Sequence, residues 1–163
     1  MKKPALPPDE TLRLAALHSL GVLDSPREQR FDSYVAFAAK EFGVKTAAIS
    51  LIEAHRQWFK ASIGLDACET SRDVSFCTRT ILQATPFVIE DASQDERFAD
   101  NPLVTGAPFI RFYAGAPLLL PSGFAVGALC LIDTIPRRLT AVQLETLTTL
   151  SRLVVDMLLE KPD

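Results

Sequence analysis

Two apolar segments in the second half of the chain are separated by a short turn sequence, and this pattern restricts the fold more than any other feature. Residues 112–119 and 124–132 are each of strand length, and they flank Pro121-Ser122-Gly123. Proline and glycine in such a connection are typical of a β-hairpin, whose strands run antiparallel. We therefore expect an antiparallel sheet that contains these two strands.

A second hairpin is predicted nearer the N-terminus. Residues 47–52 are apolar at almost every position, which is typical of a strand covered on both faces. The polar segment 53–56 has the composition of a turn, and Trp58, Phe59 and Ala61 mark the returning strand. The first strand of this hairpin is expected near the centre of the sheet.

Two helices are predicted before this hairpin. The first covers residues 9–20, where apolar side chains recur every four positions. The second begins after Ser25, because Pro26 suits the first helical position and Glu28 stands where a capping box has its acid. Gly43 is expected to end this helix in the left-handed conformation.

Two further helices and a short strand are predicted in the rest of the chain. Ser75 is expected to cap a helix over 76–82, and residues 87–90 read as a strand. The last helix opens with a capping box formed by Thr140 and Gln143. The apolar residues on one side of it are Leu147, Leu150, Val154 and Met157. Helices and hairpins in this order predict an α+β fold.

Length and charge limit the class of protein. A chain of 163 residues suffices for one domain, which we expect over 9–160 after a flexible arm over 1–8. The net charge of −3 gives no reason to expect nucleic acid or an anionic membrane as a partner. No segment has the roughly 20 apolar residues of a membrane helix or the layout of a signal peptide. A cytoplasmic location is therefore expected.

The three cysteines have no spacing that predicts a metal site. With no secretion signal, Cys68, Cys77 and Cys130 are expected to be reduced thiols. Cys77 falls in the first turn of the helix capped by Ser75, where a thiol pKa is lowered, so it is a candidate for redox chemistry or ligand attachment. The alternative for Cys77 is a small buried side chain. Cys130, in mid-strand, is expected in the core.

Several motifs follow one another in the order typical of one family. They are Ser75-Phe76-Cys77, Asp95-Glu96-Arg97-Phe98, Asn101-Pro102-Leu103-Val104, Arg111-Phe112-Tyr113-Ala114-Gly115-Ala116-Pro117-Leu118 and Gly127-Ala128-Leu129-Cys130-Leu131-Ile132-Asp133. With weaker matches they extend over about residues 12–158. The chain resembles the GAF family, in particular the bacterial subgroup found with histidine kinases and diguanylate cyclases.

The resemblance implies a central antiparallel sheet of five or six strands. The N- and C-terminal helices would pack on one face, and loops on the other face would enclose a ligand. Known ligands of the family include cyclic nucleotides, haem, bilins, iron centres and small aromatic or keto acids, and some members bind nothing. The cofactor and the ligand of this chain are therefore unknown from the resemblance, because fold does not determine function.

The loop 91–102 and the strand that starts at Arg111 are the candidate pocket. Apolar walls with a few convergent polar groups suit a small organic ligand, and Arg111 is placed to clamp a carboxylate or phosphate. Alternatively, Asp91, Arg97 and Arg111 pair with one another and brace the loop. The predicted ligand-binding residues are Trp58, Phe76, Cys77, Asp91, Phe98, Asn101, Arg111, Phe112 and Tyr113.

Three functions follow from this resemblance. The first is a non-enzymatic sensor that signals through its terminal helices to a partner or output domain, such as a kinase or cyclase. The second is a dimerisation module without a ligand, in which Phe76, Phe98, Phe112 and Tyr113 fill the cavity. The third is a thiol enzyme like the free methionine sulfoxide reductases, which is disfavoured because the loop 91–98 has no cysteine.

The last helix and the extent of the sequence lead to expectations about binding partners. The apolar stripe of the last helix must at least partly cover the sheet, and it is wide enough to meet a second copy as well. We therefore expect a homodimer. Since the sequence runs from Met1 to Asp163 without an output domain, we expect it either to act in trans or to be a piece of a larger signalling protein.

Overall fold

The computed structural model describes residues 3–160. The helices within this range are α1 (Glu10–Ser19), α2 (Gln29–Phe42), α3 (Cys77–Thr80), α4 (Pro102–Thr105) and α5 (Ala141–Leu159). The strands are β1 (Thr46–Ile52), β2 (Arg56–Ile63), β3 (Glu69–Ser71), β4 (Phe87–Ile89), β5 (Phe112–Leu119) and β6 (Ala125–Asp133). Short 3-10 helices lie at Arg72–Val74 and Ala92–Gln94.

The six strands form one antiparallel sheet in the order β3-β2-β1-β6-β5-β4. This confirms the α+β prediction. Both predicted hairpins are present, and β1 lies next to β6 at the centre, with every residue buried. Of the predicted arm 1–8, residues 1 and 2 lie outside the described range. Residues 3–8 form neither helix nor strand, and Pro7 is buried.

The two faces of the sheet carry separate apolar cores. On one face, α2 and α5 pack over the sheet, and Leu17 of α1 joins the same cluster. On the other face, α3 and the loops after β4 cover a second cluster that includes Phe59, Phe76 and Tyr113. Since side chains alternate across a strand, neighbouring residues of β2 and β5 belong to different cores. The functional site lies on the second face.

Two of the predicted helix ends are confirmed. Thr140 and Gln143 form the reciprocal capping box of α5. Gly43 has a φ of 64° and closes α2 through hydrogen bonds to the last turn. Both motifs use residues within a few positions of each other, which is why spacing alone predicts them.

The predicted capping of α2 and α3 is wrong. Helix α2 begins at Gln29, and the Ser25 hydroxyl donates to the Val22 carbonyl instead of capping. The carboxylate of Glu28 binds Lys60 across the fold. Helix α3 is a single turn that starts at Cys77, and it has no side-chain cap from Ser75. Before α2, a tertiary partner replaced the local hydrogen bonds that the sequence also permits, whereas the buried Ser75 hydroxyl has no hydrogen-bond partner among residues 3–160.

A β-bulge in β2 places Lys60 among these partners. The pairing with β1 shifts from Ile49–Ala61 to Ser50–Phe59, so Lys60 is the extra residue. Its side chain is 1% exposed, and its ammonium donates to the Ser25 hydroxyl at 2.8 Å and the Pro26 carbonyl at 2.7 Å. The ammonium also pairs with Glu28 at 2.6 Å. Lys60 thus anchors the loop between α1 and α2 to the sheet.

Replacing Lys60 by methionine is expected to lower the free energy of unfolding by about 2 kcal/mol, because the loop oxygens lose their buried donor. Urea denaturation at neutral pH measures this loss. Lys40→Met, at an exposed position of α2, is the matched control and should change stability by less than about 0.5 kcal/mol. Equal denaturation midpoints for the two variants would contradict the anchoring role.

The apolar stripe of α5 is used within the chain. Leu147, Leu150 and Val154 are 0%, 9% and 0% exposed, because they pack on the sheet. They are therefore not available to a second copy, which corrects the predicted seam. Met157 is only partly buried, and the exposed apolar residues of α5 include Leu153. No helix within residues 3–160 combines the length and apolar content needed to cross a bilayer.

Candidate functional site

A cavity of about 300 Å³ lies between the second face of the sheet and the loops that cover it. Strands β2, β5 and β6 form its floor, and α4 with the segments 64–67 and 107–110 forms its walls. The lining residues are Gln57, Phe59, Gly64, Leu65, Asp66, Ala67, Thr70, Phe76, Cys77, Leu103, Ala107, Pro108, Ile110, Tyr113, Cys130 and Ile132.

The cavity opens to solvent at its rim. Asp66, Ala67, Ala107 and Pro108 line it and are also exposed at the surface. A cis peptide bond joins Ala107 to Pro108 on one side of this opening. Most floor residues are buried and apolar, so a molecule that enters passes from an exposed rim to a mainly apolar interior.

The polar groups of the cavity are few and mostly uncharged. The buried Gln57 side chain accepts a hydrogen bond from Ser50 at 2.7 Å and donates one to Thr70 at 3.0 Å. Asp66 at the rim contributes the one carboxylate, and no described lining residue is Lys or Arg. The environment is therefore suited to an apolar molecule with one or two hydrogen-bonding groups.

Two thiols lie on the floor of the cavity. Cys77 and Cys130 are 2% and 1% exposed, and the Tyr113 hydroxyl donates to the Cys77 sulfur at 3.1 Å. The same hydroxyl is 2.7 Å from the Thr80 hydroxyl. Within residues 3–160, including the cavity, no three His, Cys, Asp or Glu side chains are grouped so that they would hold a metal ion.

The two thiols have shifted pKa values of opposite direction. Burial of the Cys77 thiol raises its pKa, but the neighbouring Cys130 thiol and the hydroxyls of Tyr113 and Ser50 outweigh burial, so this pKa lies below its ordinary value. The hydrogen bond to Cys77, together with burial, holds the pKa of Cys130 well above its usual range. Cys77 is thus the thiol that loses its proton first.

An aromatic cluster borders the cavity. Phe76 stacks on Phe98 with ring centroids 4.3 Å apart, and it lies 5.3 Å from the ring of Tyr113. Phe87 contacts Phe98 and Tyr113 at 6.2 Å. Phe98 lies behind Phe76 and does not line the cavity. The aromatic packing expected of a ligand-free module is thus present in part, without Phe112, and the cavity remains beside it.

The predicted polar ligands lie outside the cavity lining. Asp91 accepts hydrogen bonds from the backbone and hydroxyl of Ser93. The buried Asn101 caps α4 and donates to the Val74 carbonyl at 3.1 Å. These two residues hold the loop 91–102 in place, but Asp91 does so through Ser93 and does not pair with Arg97 or Arg111, as the alternative had it.

Arg111 also serves the loop and does not reach the cavity. Its guanidinium donates to the carbonyls of Val104 and Ile110, each at 3.0 Å. Arg97 pairs instead with Asp95 at 2.7 Å. The arginines therefore brace the loop through separate local partners, not through Asp91 as the alternative had it. The predicted carboxylate clamp at Arg111 is not part of this cavity, because Arg111 does not line it and its Nη1 donates to backbone oxygens.

Two aromatic residues that were predicted to line the cavity lie on the opposite face of the sheet. Trp58 and Phe112 are buried in the cluster beneath α2 and α5, and neither lines the cavity. Their neighbours Phe59 and Tyr113 point to the cavity instead. Of the predicted ligand-binding residues, the structure brings together Phe76, Cys77 and Tyr113 around the cavity.

Several lining residues were not predicted as ligand-binding residues. Gln57 carried a usable signal, since a polar residue within an apolar strand often faces a polar group. Cys130 was assigned to the core, and it is buried, but it also lines the cavity. The other missed residues are Phe59, Gly64, Leu65, Asp66, Ala67, Thr70, Leu103, Ala107, Pro108, Ile110 and Ile132.

This architecture is that of an α+β module with a cavity on one face of its antiparallel sheet. The model of the GAF domain family matches residues 26–156, so the chain belongs to the GAF family. It is 46% identical over 137 residues to the cyclic di-GMP phosphodiesterase PA2567 of Pseudomonas aeruginosa. That match includes 84% of this chain and 23% of the relative, so the chain spans about a quarter of that protein's length.

Solved structures share the fold at low identity. The GAF domain of a phosphoenolpyruvate-protein phosphotransferase from Coxiella burnetii has a TM-score of 0.66 at 13% identity, over 91% of this chain and 93% of that one. A type II free methionine-R-sulfoxide reductase from Thermoplasma acidophilum has a TM-score of 0.66 at 10% identity, over 80% and 90%. Because sensors and enzymes share this fold, the likeness alone does not distinguish them.

Proposed function

We propose that this chain is a non-enzymatic sensory domain of the cytoplasm whose cavity binds a small, uncharged and mainly apolar molecule. The cavity of about 300 Å³, lined by apolar side chains and a few neutral polar groups, is the observation that carries the proposal. Binding would be passed through the terminal helices to a partner or output domain, in the manner of signalling proteins.

The charge of the cavity supports an uncharged ligand. A buried carboxylate or phosphate needs a cation or several donors to offset its desolvation. The lining offers the amide of Gln57 and the hydroxyl of Thr70, whereas Asp66 would repel an anion. Nucleotides, keto acids and cyclic di-GMP itself are therefore poor candidates for this cavity.

The size of the cavity supports a small ligand. An apolar protein cavity of about 150 Å³ accommodates benzene, so a volume near 300 Å³ suits a molecule of one or two rings. The ring of Phe76 and the side chains of Phe59 and Ile132 provide flat and aliphatic contact area. A hydroxyl or carbonyl on the ligand would meet Gln57 or Thr70.

A route from the cavity to α1 supports signalling through the terminal helices. Thr70 lines the cavity, and two residues later Arg72 donates to the carboxylate of Glu10 at 2.6 Å. Glu10 also binds Arg13, whose guanidinium donates to the Ala125 carbonyl at the start of β6. A ligand that displaces the segment around Thr70 would therefore act on α1.

The ligand proposal is tested with Leu103→Trp, which places a larger side chain in the cavity wall. Native mass spectrometry of the purified protein, followed by thermal unfolding with a panel of neutral aromatic and aliphatic metabolites, should reveal a ligand. At about 100 times its dissociation constant, that ligand should stabilise the wild type by about 2.7 kcal/mol. Leu103→Trp should remove most of this stabilisation.

The matched control is Leu153→Trp, on the exposed side of α5 and away from the cavity. It should retain the wild-type response. Stabilisation that survives Leu103→Trp, or a panel in which only anionic metabolites stabilise the protein, would contradict the proposal. A protein that gains nothing from any compound but stays dimeric on dilution would favour the dimerisation module.

The signalling pathway that this chain serves is proposed from its PA2567 relative. The PA2567 relative is named as a cyclic di-GMP phosphodiesterase, so we propose that this chain serves cyclic di-GMP or kinase signalling. The homodimer stays a prediction. Its surface must use residues other than Leu147, Leu150 and Val154, and sedimentation at several protein concentrations measures it.

A further inference from the structure

Two buried thiols line the cavity, and the proposed binding of an apolar ligand does not use their chemistry. Cys77 is the first residue of α3, and Cys130 lies in β6 opposite Ala48 of β1 and Gly115 of β5. The helix and the strand thus place two thiols, 53 positions apart in the sequence, on the floor of the same cavity, close enough for each to shift the pKa of the other. The exposed Cys68 is the remaining cysteine and lies in the loop before β3.

The surrounding residues are arranged to direct a donor at Cys77. A Cβ atom at Gly115 would lie 2.2 Å from the Tyr113 hydroxyl oxygen and 2.9 Å from that of Thr80. Glycine at this position therefore leaves the space that the phenol occupies. With the Tyr113 proton directed at the Cys77 sulfur, the Thr80 hydroxyl donates to Tyr113, which gives the chain Thr80 to Tyr113 to Cys77.

We propose that Cys77 and Cys130 form a reversible dithiol–disulfide pair, oxidised by a small uncharged hydroperoxide that enters through the cavity. Both sulfurs line the cavity and its rim is exposed, so a peroxide the size of two water molecules reaches them without unfolding. The lining has no cation to attract charged oxidants. This inference does not depend on the proposed ligand, because it needs only the cavity and the thiols.

The chemistry has two balanced steps. The Cys77 thiolate attacks one oxygen of the peroxide, so an S–O bond forms, the O–O bond breaks, and hydroxide or alkoxide leaves and takes up a proton. The Cys130 sulfur then attacks the Cys77 sulfenic acid, so the S–S bond forms, the S–O bond breaks, and water leaves with the Cys130 proton. Two thiols lose two electrons and two protons, and the peroxide becomes water and an alcohol or a second water.

The order of attack follows from the hydrogen bonds. Cys77 receives a hydrogen bond from the Tyr113 hydroxyl at 3.1 Å, which favours its thiolate. Cys130 keeps its proton, because deprotonation next to the Cys77 sulfur is unfavourable. Cys77 is therefore the attacking thiol and Cys130 the resolving one.

The experiment uses the full chain with Cys68→Ser, so that Cys77 and Cys130 are the remaining thiols. The protein is treated with hydrogen peroxide, quenched with catalase, denatured and alkylated. We expect an intact mass lower by two hydrogen atoms, no alkylation, and a Cys77–Cys130 cross-linked peptide. Dithiothreitol should restore both alkylated cysteines.

Three variants of this protein test the roles. Cys130→Ser should stop at a sulfenic acid on Cys77 that dimedone traps, and Tyr113→Phe should slow oxidation about tenfold, the effect of a thiol pKa raised by one unit. Thr149→Ala, on α5 and outside the cavity lining, is the control and should react at the wild-type rate. If both thiols are still alkylated after excess peroxide, or if the disulfide joins two chains, the proposal is overturned.

The result separates this inference from the proposed function. A disulfide in a protein that binds no panel compound would support the dithiol and reject the sensor of apolar ligands. Ligand binding in a protein whose thiols resist peroxide would do the reverse.

Discussion

Replacing Gly127 by alanine is expected to destabilise the protein by about 4 kcal/mol and to lower its melting temperature by about 10 °C. An alanine Cβ at this position would lie 1.8 Å from the Ser50 carbonyl oxygen and 2.9 Å from the Leu51 Cα. Both atoms belong to the backbone of β1, at the centre of the sheet. The added methyl group therefore forces two central strands apart.

Urea denaturation of Gly127→Ala gives this loss directly. The matched control is Gly123→Ala in the hairpin turn before β6, where nothing lies within 4 Å of the new Cβ but φ is +91°. Strain in that conformation should cost about 1 kcal/mol. A Gly127→Ala protein that is as stable as the control would show that β1 and β6 can separate without loss.

Replacing Glu10 by glutamine should produce the second large effect, a loss of about 3 kcal/mol at neutral pH. The carboxylate accepts hydrogen bonds from Arg13 at 2.8 and 2.9 Å and from Arg72 at 2.6 Å. The two arginine side chains are 1% and 7% exposed. Without the carboxylate, two buried cations face each other without a counter-charge. The three side chains tie α1 to the segment that carries Thr70.

This loss should depend on pH. Burial raises the pKa of Glu10, but hydrogen bonds from Arg13 and Arg72 outweigh it and lower the pKa to about 2 from an ordinary value of 4.5. Because the folded pKa is the lower one, the ion pairs stabilise the protein fully above pH 4.5, and this stabilisation is lost as the pH falls toward 2. The stability difference between wild type and Glu10→Gln should therefore shrink between these values.

Urea unfolding at pH 7 and pH 3 measures the difference above this pH range and within it. Other carboxylates, among them Asp95, also have lowered pKa values. The pH dependence of wild-type stability therefore contains the titration of several groups, and only the comparison with Glu10→Gln isolates Glu10. Glu96→Gln, at an exposed position, is the control and should track the wild type within about 0.5 kcal/mol at each pH. A Glu10→Gln deficit that is the same at pH 3 and pH 7 would contradict the assignment to the ion pairs.

The predicted pocket shows where interpretation from sequence reaches its limit. Neighbouring aromatic residues occur at 58–59 and 112–113. At the first pair, Trp58 was predicted to line the cavity, but Phe59 does. At the second pair, both residues were predicted to line it, but only Tyr113 does. In a strand, adjacent residues face opposite sides, and an apolar strand buried on both faces has no polar side to set the phase. The bulge at Lys60 shifts that phase again.

The hydrogen-bond partners of polar side chains were the hardest feature to predict from the sequence. Arg111 carries a guanidinium that suits an anionic ligand, yet it donates to carbonyls of its own loop. Ser25 and Glu28 have the spacing of a capping box, yet both bind Lys60. In each case the local sequence permits two sets of hydrogen bonds, and the set that forms is the one that also satisfies a buried partner.

The sequence by itself determined the order of helices and strands except for β3 and α4, both hairpins, the capping box of Thr140 and Gln143 and the helix end at Gly43. These features depend on residues close together in the chain, so spacing and conformational preference specify them. Tertiary structure alone decided which side chains line the cavity, that Cys77 meets Cys130, and that Glu10 bridges Arg13 and Arg72. Those contacts join distant segments whose relative positions follow from strand register and packing, which no local pattern encodes.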